Sequence, residues 1–137
     1  MSGIVVDASV TLSWCFSDEG TSLSISVLDR LKSGDQAFVP AFWSVEVLNT
    51  LLVGEKRGRI SAEKTQAFLA DLRALDPVLD YVSLDQVCGP VQAISRDHRL
   101  APYDALYVEL ALRMNCPLAT LDEPQQQAAR SLGVECL

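Results

Sequence analysis

The chain is short of positive charge: among 137 residues, 11 Lys and Arg stand against 18 Asp and Glu, for a formal net charge of -7. Such a balance excludes a protein that holds nucleic acid by bulk electrostatics, so a phosphate-bearing substrate would need local help. No run approaches the 18 or so apolar residues that a membrane span requires, because the aliphatic blocks are short and broken by charge, Pro or Gly. The start, Met-Ser-Gly-Ile-Val-Val-Asp, lacks a basic region and meets an acid at position 7, unlike a secretory signal. The expectation is a cytoplasmic protein that does not span or bind a membrane. The four cysteines, Cys15, Cys88, Cys116 and Cys136, form no Cys-x-x-Cys pair and sit among apolar neighbours. They read as buried free thiols, and a structural zinc site is not expected. Internal repeats, low-complexity tracts and linkers are also missing.

What is present suits one core. With 49% hydrophobic residues, residues 1–137 read as a single domain. Gly3 to Val6 is a β-branched strand that runs into Asp7-Ala-Ser, and Val10 to Phe16 follows as a helix. Leu23, Val27, Leu28 and Leu31 lie at helical spacing before Gly34, and Ala37 to Val39 is the second strand. A long helix from Phe42 to Lys56 carries Val45, Leu48 and Leu52 as its expected core stripe. Ser61 caps the next helix, with Phe68, Leu72 and Leu75, which stops before Asp76-Pro77. Strand three is expected at Tyr81 to Leu84. Ser83-Leu-Asp-Gln86 has capping-box spacing, and Gly89-Pro90 should kink the helix that follows. Pro102 suits the first turn of another helix, and Leu118 to Leu121 is strand four. A last helix, Pro124 to Leu132, leads to a short strand at Val134 to Cys136. Strands separated by helices imply parallel crossovers, hence an α/β fold: a three-layer α/β/α sandwich around a mainly parallel sheet of four to five short strands.

In such sheets sites form beyond the carboxyl ends of the strands. Asp7 closes strand one, Asp122 closes strand four, Asp104 lies in the first turn after Pro102, and Glu46 sits one turn into the long helix. Each has a local reading too. Asp7 and Asp122 suit helix caps, the latter with Gln125 at box spacing, and Asp104 suits the helix dipole. Glu46, flanked by Val45 and Val47, has the weakest local reason to be an acid. Two carboxylates about 5 Å apart repel by roughly 3 kcal/mol at an effective dielectric near 20, so four together would be protonated or splayed without a counter-charge. A divalent cation supplies one, and oxygen ligands select Mg²⁺ or Mn²⁺ over zinc. Such ions support phosphodiester hydrolysis.

Val5-Val-Asp-Ala-Ser, Val39-Pro-Ala-Phe-Trp-Ser-Val-Glu-Val, Arg99-Leu-Ala-Pro-Tyr-Asp-Ala-Leu-Tyr and Pro117-Leu-Ala-Thr-Leu-Asp occur in this order across nearly the whole chain. The series resembles the PIN-domain ribonucleases, especially VapC-type toxins of bacterial toxin–antitoxin pairs. The resemblance implies a Mg²⁺- or Mn²⁺-dependent endoribonuclease whose catalytic and metal-holding acids are Asp7, Glu46, Asp104 and Asp122, with Ser9 and Thr120 in supporting positions. It also implies an RNA substrate, a homodimer and a small VapB-like antitoxin that also binds DNA. One departure is Glu123-Pro124, where toxins of this kind often carry Lys or Arg; Glu123 is expected to face solvent.

The clusters Lys56-Arg57-Gly-Arg59 and Arg96-Asp-His-Arg99 suit solvated faces; Arg96, His98 and Arg99 are the candidate phosphate contacts. Asn49, one turn past Glu46, is either its orienting partner or a surface amide. Trp14, Phe16, Phe42 and Trp43 read as core or dimer contacts. The non-enzymatic rival is a PIN-fold binding module that cleaves poorly and acts through its antitoxin. An aspartyl-phosphate enzyme fits worse, since no second aspartate follows in Asp7-Ala-Ser9 and no lysine follows Thr120.

Overall fold

A computed structural model describes residues 2–137, apart from the side chain of Ser17. Four strands, β1 (Gly3–Val6), β2 (Gln36–Pro40), β3 (Val78–Asp80) and β4 (Leu118–Ala119), pair in the order β3-β2-β1-β4. Every pairing is parallel. Parallel neighbours need crossovers, and helices make them: α1 (Ala8–Ser13) and α2 (Ser22–Lys32) join β1 to β2, while α3 (Trp43–Lys56) and α4 (Ala62–Ala74) join β2 to β3. From β3 the chain passes through α5 (Leu84–Gln86), a π-helical turn (Val87–Val91), α6 (Gln92–His98) and α7 (Pro102–Met114) to β4, and ends with α8 (Glu123–Ser131). The result is the expected three-layer α/β/α sandwich. Ile4, Val5, Val39, Leu118 and Ala119 are almost fully buried, as strands covered on both faces must be. Helix α7 lies against β1, β2 and β4 and packs with α6 and α8, while α1 packs with α2 and α3.

Local chemistry explains the joints. Gly3 opens β1 because a Cβ there would come within 2.6 Å of the Phe38 ring and 2.9 Å of Cys116 Sγ. Gly34, at φ +117°, takes the chain out of α2 into β2. Ser61 caps α4, and Ser83 and Gln86 form the reciprocal box expected. Pro90 sits inside the π-helical turn, where its missing N–H is accommodated by the wider spacing. No helix among the described residues is long and apolar enough to cross a membrane.

Four expectations need correction. The core face of α3 is Trp43, Val47, Leu51 and Gly54. Val45, at 68% exposure, Leu48 and Leu52 face outward. Helix α3 is apolar on two sides, so a 3.6-residue period fits both. The choice is made by Trp43, whose indole N–H donates to the buried Thr11 Oγ1 at 3.1 Å. Strand β3 is Val78–Asp80, paired with Phe38, Val39 and Pro40, rather than Tyr81 to Leu84. Tyr81-Val82 is richer in strand formers, but Ser83 must serve α5 as its cap, and Tyr81 and Leu84 are 79% and 76% exposed. Val134 to Cys136 makes a single bridge, Leu118 with Cys136, because β4 is only two residues long. All four cysteines are free, yet Cys88 is exposed and the others half-buried.

Candidate active site

Register brings the first two groups together. Val6 pairs with Ala119 across β1 and β4, so Asp7 and Thr120 leave the sheet side by side. The Asp7 amide donates to the Ala119 carbonyl at 3.0 Å. Asp7 then takes the cap position of α1, with extended φ and ψ, and accepts from the Ser9 amide. Its Oδ2 also receives the Ser9 hydroxyl (2.6 Å) and lies 2.9 Å from the Thr120 hydroxyl, whose single proton it shares with Gln125 Oε1. Ser9 Oγ accepts in turn from the Leu121 amide at 3.1 Å. Thus both supporting hydroxyls touch Asp7, and together they tie α1 to the end of β4.

Asp122 does cap α8, accepting from the Gln125 amide at 3.0 Å. The reciprocal half of the box is absent. The Asp122 amide donates instead to Thr120 Oγ1 (3.0 Å), and the Gln125 side chain turns inward. Its Nε2 donates to the Asp104 carbonyl at 3.1 Å, across 21 residues, and its Oε1 lies 2.6 Å from Thr120 Oγ1. Asp104 itself sits in the first turn of α7, which Pro102 opens without a side-chain cap.

Glu46 enters from the first turn of α3. Its partner is Tyr107, whose hydroxyl donates to Oε1 at 2.8 Å. Asn49 points to the exposed surface, so the notion that it orients Glu46 is replaced by a residue on another helix. Phe42, just before α3, packs edge-on against Tyr107 (5.7 Å between centroids) and Tyr103 (5.5 Å), joining the start of α3 to that of α7.

The four acids share one electrostatic environment. Burial pushes the Asp7 carboxyl above its ordinary range, against the bonds from Ser9 and Thr120 and the backbone amides of Ser9 and Ala8. Burial likewise raises Glu46, opposed by the Tyr107 hydroxyl and reinforced by the charges of Asp7 and Asp104. Asp104 is raised by burial and then by Asp7 and Asp122. Tyr107 is held far above the normal phenol range, first by burial and then by Asp7 and Glu46, and so stays a donor at any working pH. These are charged groups placed where water cannot fully serve them.

The donor set fits a hard divalent cation. It consists of oxygens, and Asp7, Glu46 and Asp122 each direct one carboxylate oxygen into the protein bonds just described. The second oxygen of each, and the whole Asp104 carboxylate, has no side-chain partner among the described residues. As placed, no three acids, histidines or cysteines among the described residues stand close enough to hold a metal jointly. Two grooves flank α4, and neither is lined by any of the four acids.

Arg96, His98 and Arg99 lie on α6 and its exit, upstream of Asp104, and make no ion pair with the acids. Arg96 bonds Gln92 at 3.1 Å, and Arg99 adopts a left-handed conformation with φ 54°. Arg59, in the other basic cluster, is held by Asp18 and Glu19 over the Phe16 ring. Glu123 is exposed, as expected. The residues that sequence reading missed are Tyr107 and Gln125. Tyr107 was signalled only by its three-residue spacing from Asp104, one helix face, and Gln125 only by its distance from Asp122.

Comparison with curated proteins finds no match. Among solved structures, PAE2754 from Pyrobaculum aerophilum superposes with a TM-score of 0.71 at 19% identity, over 96% of this chain and 92% of its own. VapBC2 from Rickettsia felis, bound to a DNA fragment from their promoter, gives 0.65 at 13%, over 98% and 97%. FitAcB from Neisseria gonorrhoeae gives 0.64 at 16%, over 98% and 96%. At such identities the likeness is one of fold. The PIN domain family profile matches residues 4–131, nearly the full length, and the chain therefore belongs to the PIN domain family.

Proposed function

We propose that this chain is a metal-dependent endoribonuclease, the VapC-type toxin of a toxin–antitoxin pair. The observation that carries the reading is that burial raises Asp7, Glu46 and Asp104 above the carboxylate range, with Asp7 and Asp104 adding to the rise of Glu46, and Asp7 and Asp122 to that of Asp104. Those four acids would hold Mg²⁺ or Mn²⁺, which supplies charge neutralisation and Lewis acidity for phosphodiester hydrolysis. The protein's own part is positional. Ser9 and Thr120 fix Asp7 Oδ2, Tyr107 fixes Glu46 Oε1, and the Gln125 amide fixes Asp122 Oδ2. Arg96 and Arg99, with His98 between them at the approach to α7, are the local groups that would contact RNA phosphates in an acidic protein.

The partner reading draws on the toxin–antitoxin complexes among proteins of like fold. We infer a small VapB-like antitoxin, a cytoplasmic location and a homodimer, whose interface is the outward apolar face of α3. The test is RNA cleavage by the antitoxin-free chain with Mn²⁺. Asp7→Asn and Asp104→Asn are each expected to lower the rate by at least a hundredfold; full activity in either would sink the assignment. The inert-module reading is separated by calorimetric Mn²⁺ titration, since it requires no metal binding.

A further inference from the structure

We propose that Gln125 is a positioning residue that sets the spacing of three of the four acids. The inference rests on the metal-dependent reading above and goes beyond it, because Gln125 is neither an acid nor a hydroxyl of the carboxylate set. Its side chain is 0% exposed. A buried amide needs partners for both ends, and the partners here all lead to the site. The backbone N–H holds the Asp122 carboxylate at 3.0 Å. Nε2 holds the backbone of Asp104 at 3.1 Å, on a different helix. Oε1 meets Thr120 Oγ1 at 2.6 Å, and that same hydroxyl lies 2.9 Å from Asp7 Oδ2. One residue thereby links Thr120, just past the end of β4, to the starts of α8 and α7, from which Asp122 and Asp104 project.

The geometry separates this role from plain packing. A glutamine that merely filled the α7–α8 interface could bond any nearby backbone group, and an apolar residue of like volume would fill it as well. A glutamine that sets the site works through its two amide atoms, and their loss loosens the acids relative to one another while leaving the interface filled. Groups one bond removed from metal ligands commonly change metal affinity by about 10- to 100-fold.

The experiment compares the full chain with Gln125→Met, which keeps the volume and the backbone bond to Asp122 but removes Nε2 and Oε1. Calorimetric titration with Mn²⁺ alone is expected to show a Kd about tenfold weaker in the variant, with unchanged circular dichroism, and RNA cleavage recovering as Mn²⁺ is raised. Equal Mn²⁺ affinity in the folded variant overturns the proposal and leaves the nuclease reading intact. Absence of Mn²⁺ binding in the unsubstituted chain removes that reading and this inference with it. Should Gln125→Met fail to fold, the unsubstituted chain decides: on Mg²⁺ titration the Gln125 side-chain amide resonances are expected to shift while those of exposed Gln66 stay. A stationary Gln125 signal overturns the proposal.

Discussion

The Tyr107 hydroxyl donates to Glu46 Oε1 at 2.8 Å, joining α7 to α3 across 61 residues of sequence. Tyr107 is fully buried and Phe42 packs edge-on against its ring, so the donor is held by packing before any ligand arrives. Tyr107→Phe keeps the ring and its contacts and removes only the hydroxyl. The expected result is a fall in Mn²⁺-dependent kcat of about tenfold, the usual scale for a group supporting a metal ligand, with KM for RNA little changed. Steady-state kinetics on an oligoribonucleotide checks this, and an unaltered kcat would remove Tyr107 from the site.

The raised acids make stability without metal depend on pH in a definite direction. Asp7, Glu46 and Asp104 bind protons more tightly in the folded chain than in the unfolded one. Their contribution to stability is therefore complete below the ordinary carboxylate range and is lost as pH rises through their raised values. Asp35, held low by Arg30, runs the other way, but only as pH falls below the ordinary range. Thermal melts of the metal-free chain should thus show Tm rising as pH is lowered from 7 toward 5. Asp7→Asn, which removes the most buried of the three charges, should raise Tm at pH 7 and flatten the dependence. Saturating Mn²⁺ should also raise Tm at pH 7, through preferential binding to the folded state. A metal-free Tm that falls steadily from pH 7 to 5 contradicts this account.

Much of this site was legible because it obeys local rules. Asp7 and Asp122 follow apolar strand residues and sit where extended chain turns into helix, and Asp104 follows Pro102. Period, caps and proline report such positions directly. Illegible were the features decided by partners far along the chain. The buried side of α3 depends on Thr11 receiving the Trp43 indole, and β3 begins at Val78 because β2 offers pairing there. Gln125 had the spacing of a capping box, yet its side chain serves α7, a choice that only the packing of α8 on α7 reveals. Glu46 was singled out for its apolar neighbours, but Val45 turns outward while the Glu46 carboxylate turns toward α7, where the Tyr107 hydroxyl is its partner.

Away from the site, Arg113 bridges Glu109 (2.8 Å) and Asp80 (2.6 Å), tying α7 to the end of β3. Glu109 is buried, so removing the guanidinium strands its charge. Arg113→Ala is expected to cost about 3 kcal/mol in denaturant unfolding, the low end for breaking a buried pair. Glu109→Gln together with Arg113→Met, which removes both charges, should cost less than Arg113→Ala alone. The reverse order would mean that the pair's attraction, rather than the stranded charge, dominates.

The outward face of α3 is the place to test the assembly. Val45, Leu48 and Leu52 lie at helical spacing and are 68%, 38% and 44% exposed, an apolar stripe with no cover in the single chain. Tyr103, 65% exposed beside Phe42, extends it toward α7. A stable interface buries about 800 Å² per partner, more than this stripe alone supplies, so the stripe would be its centre and Tyr103 part of its extension. Charge at the centre is poorly tolerated there, whereas in a solvated helix it is harmless. Leu48→Glu is therefore expected to turn a dimer into a monomer in light scattering after size exclusion, with helical content preserved. A Leu48→Glu chain that remains dimeric would show that the two copies meet elsewhere, and would leave this face for a different partner.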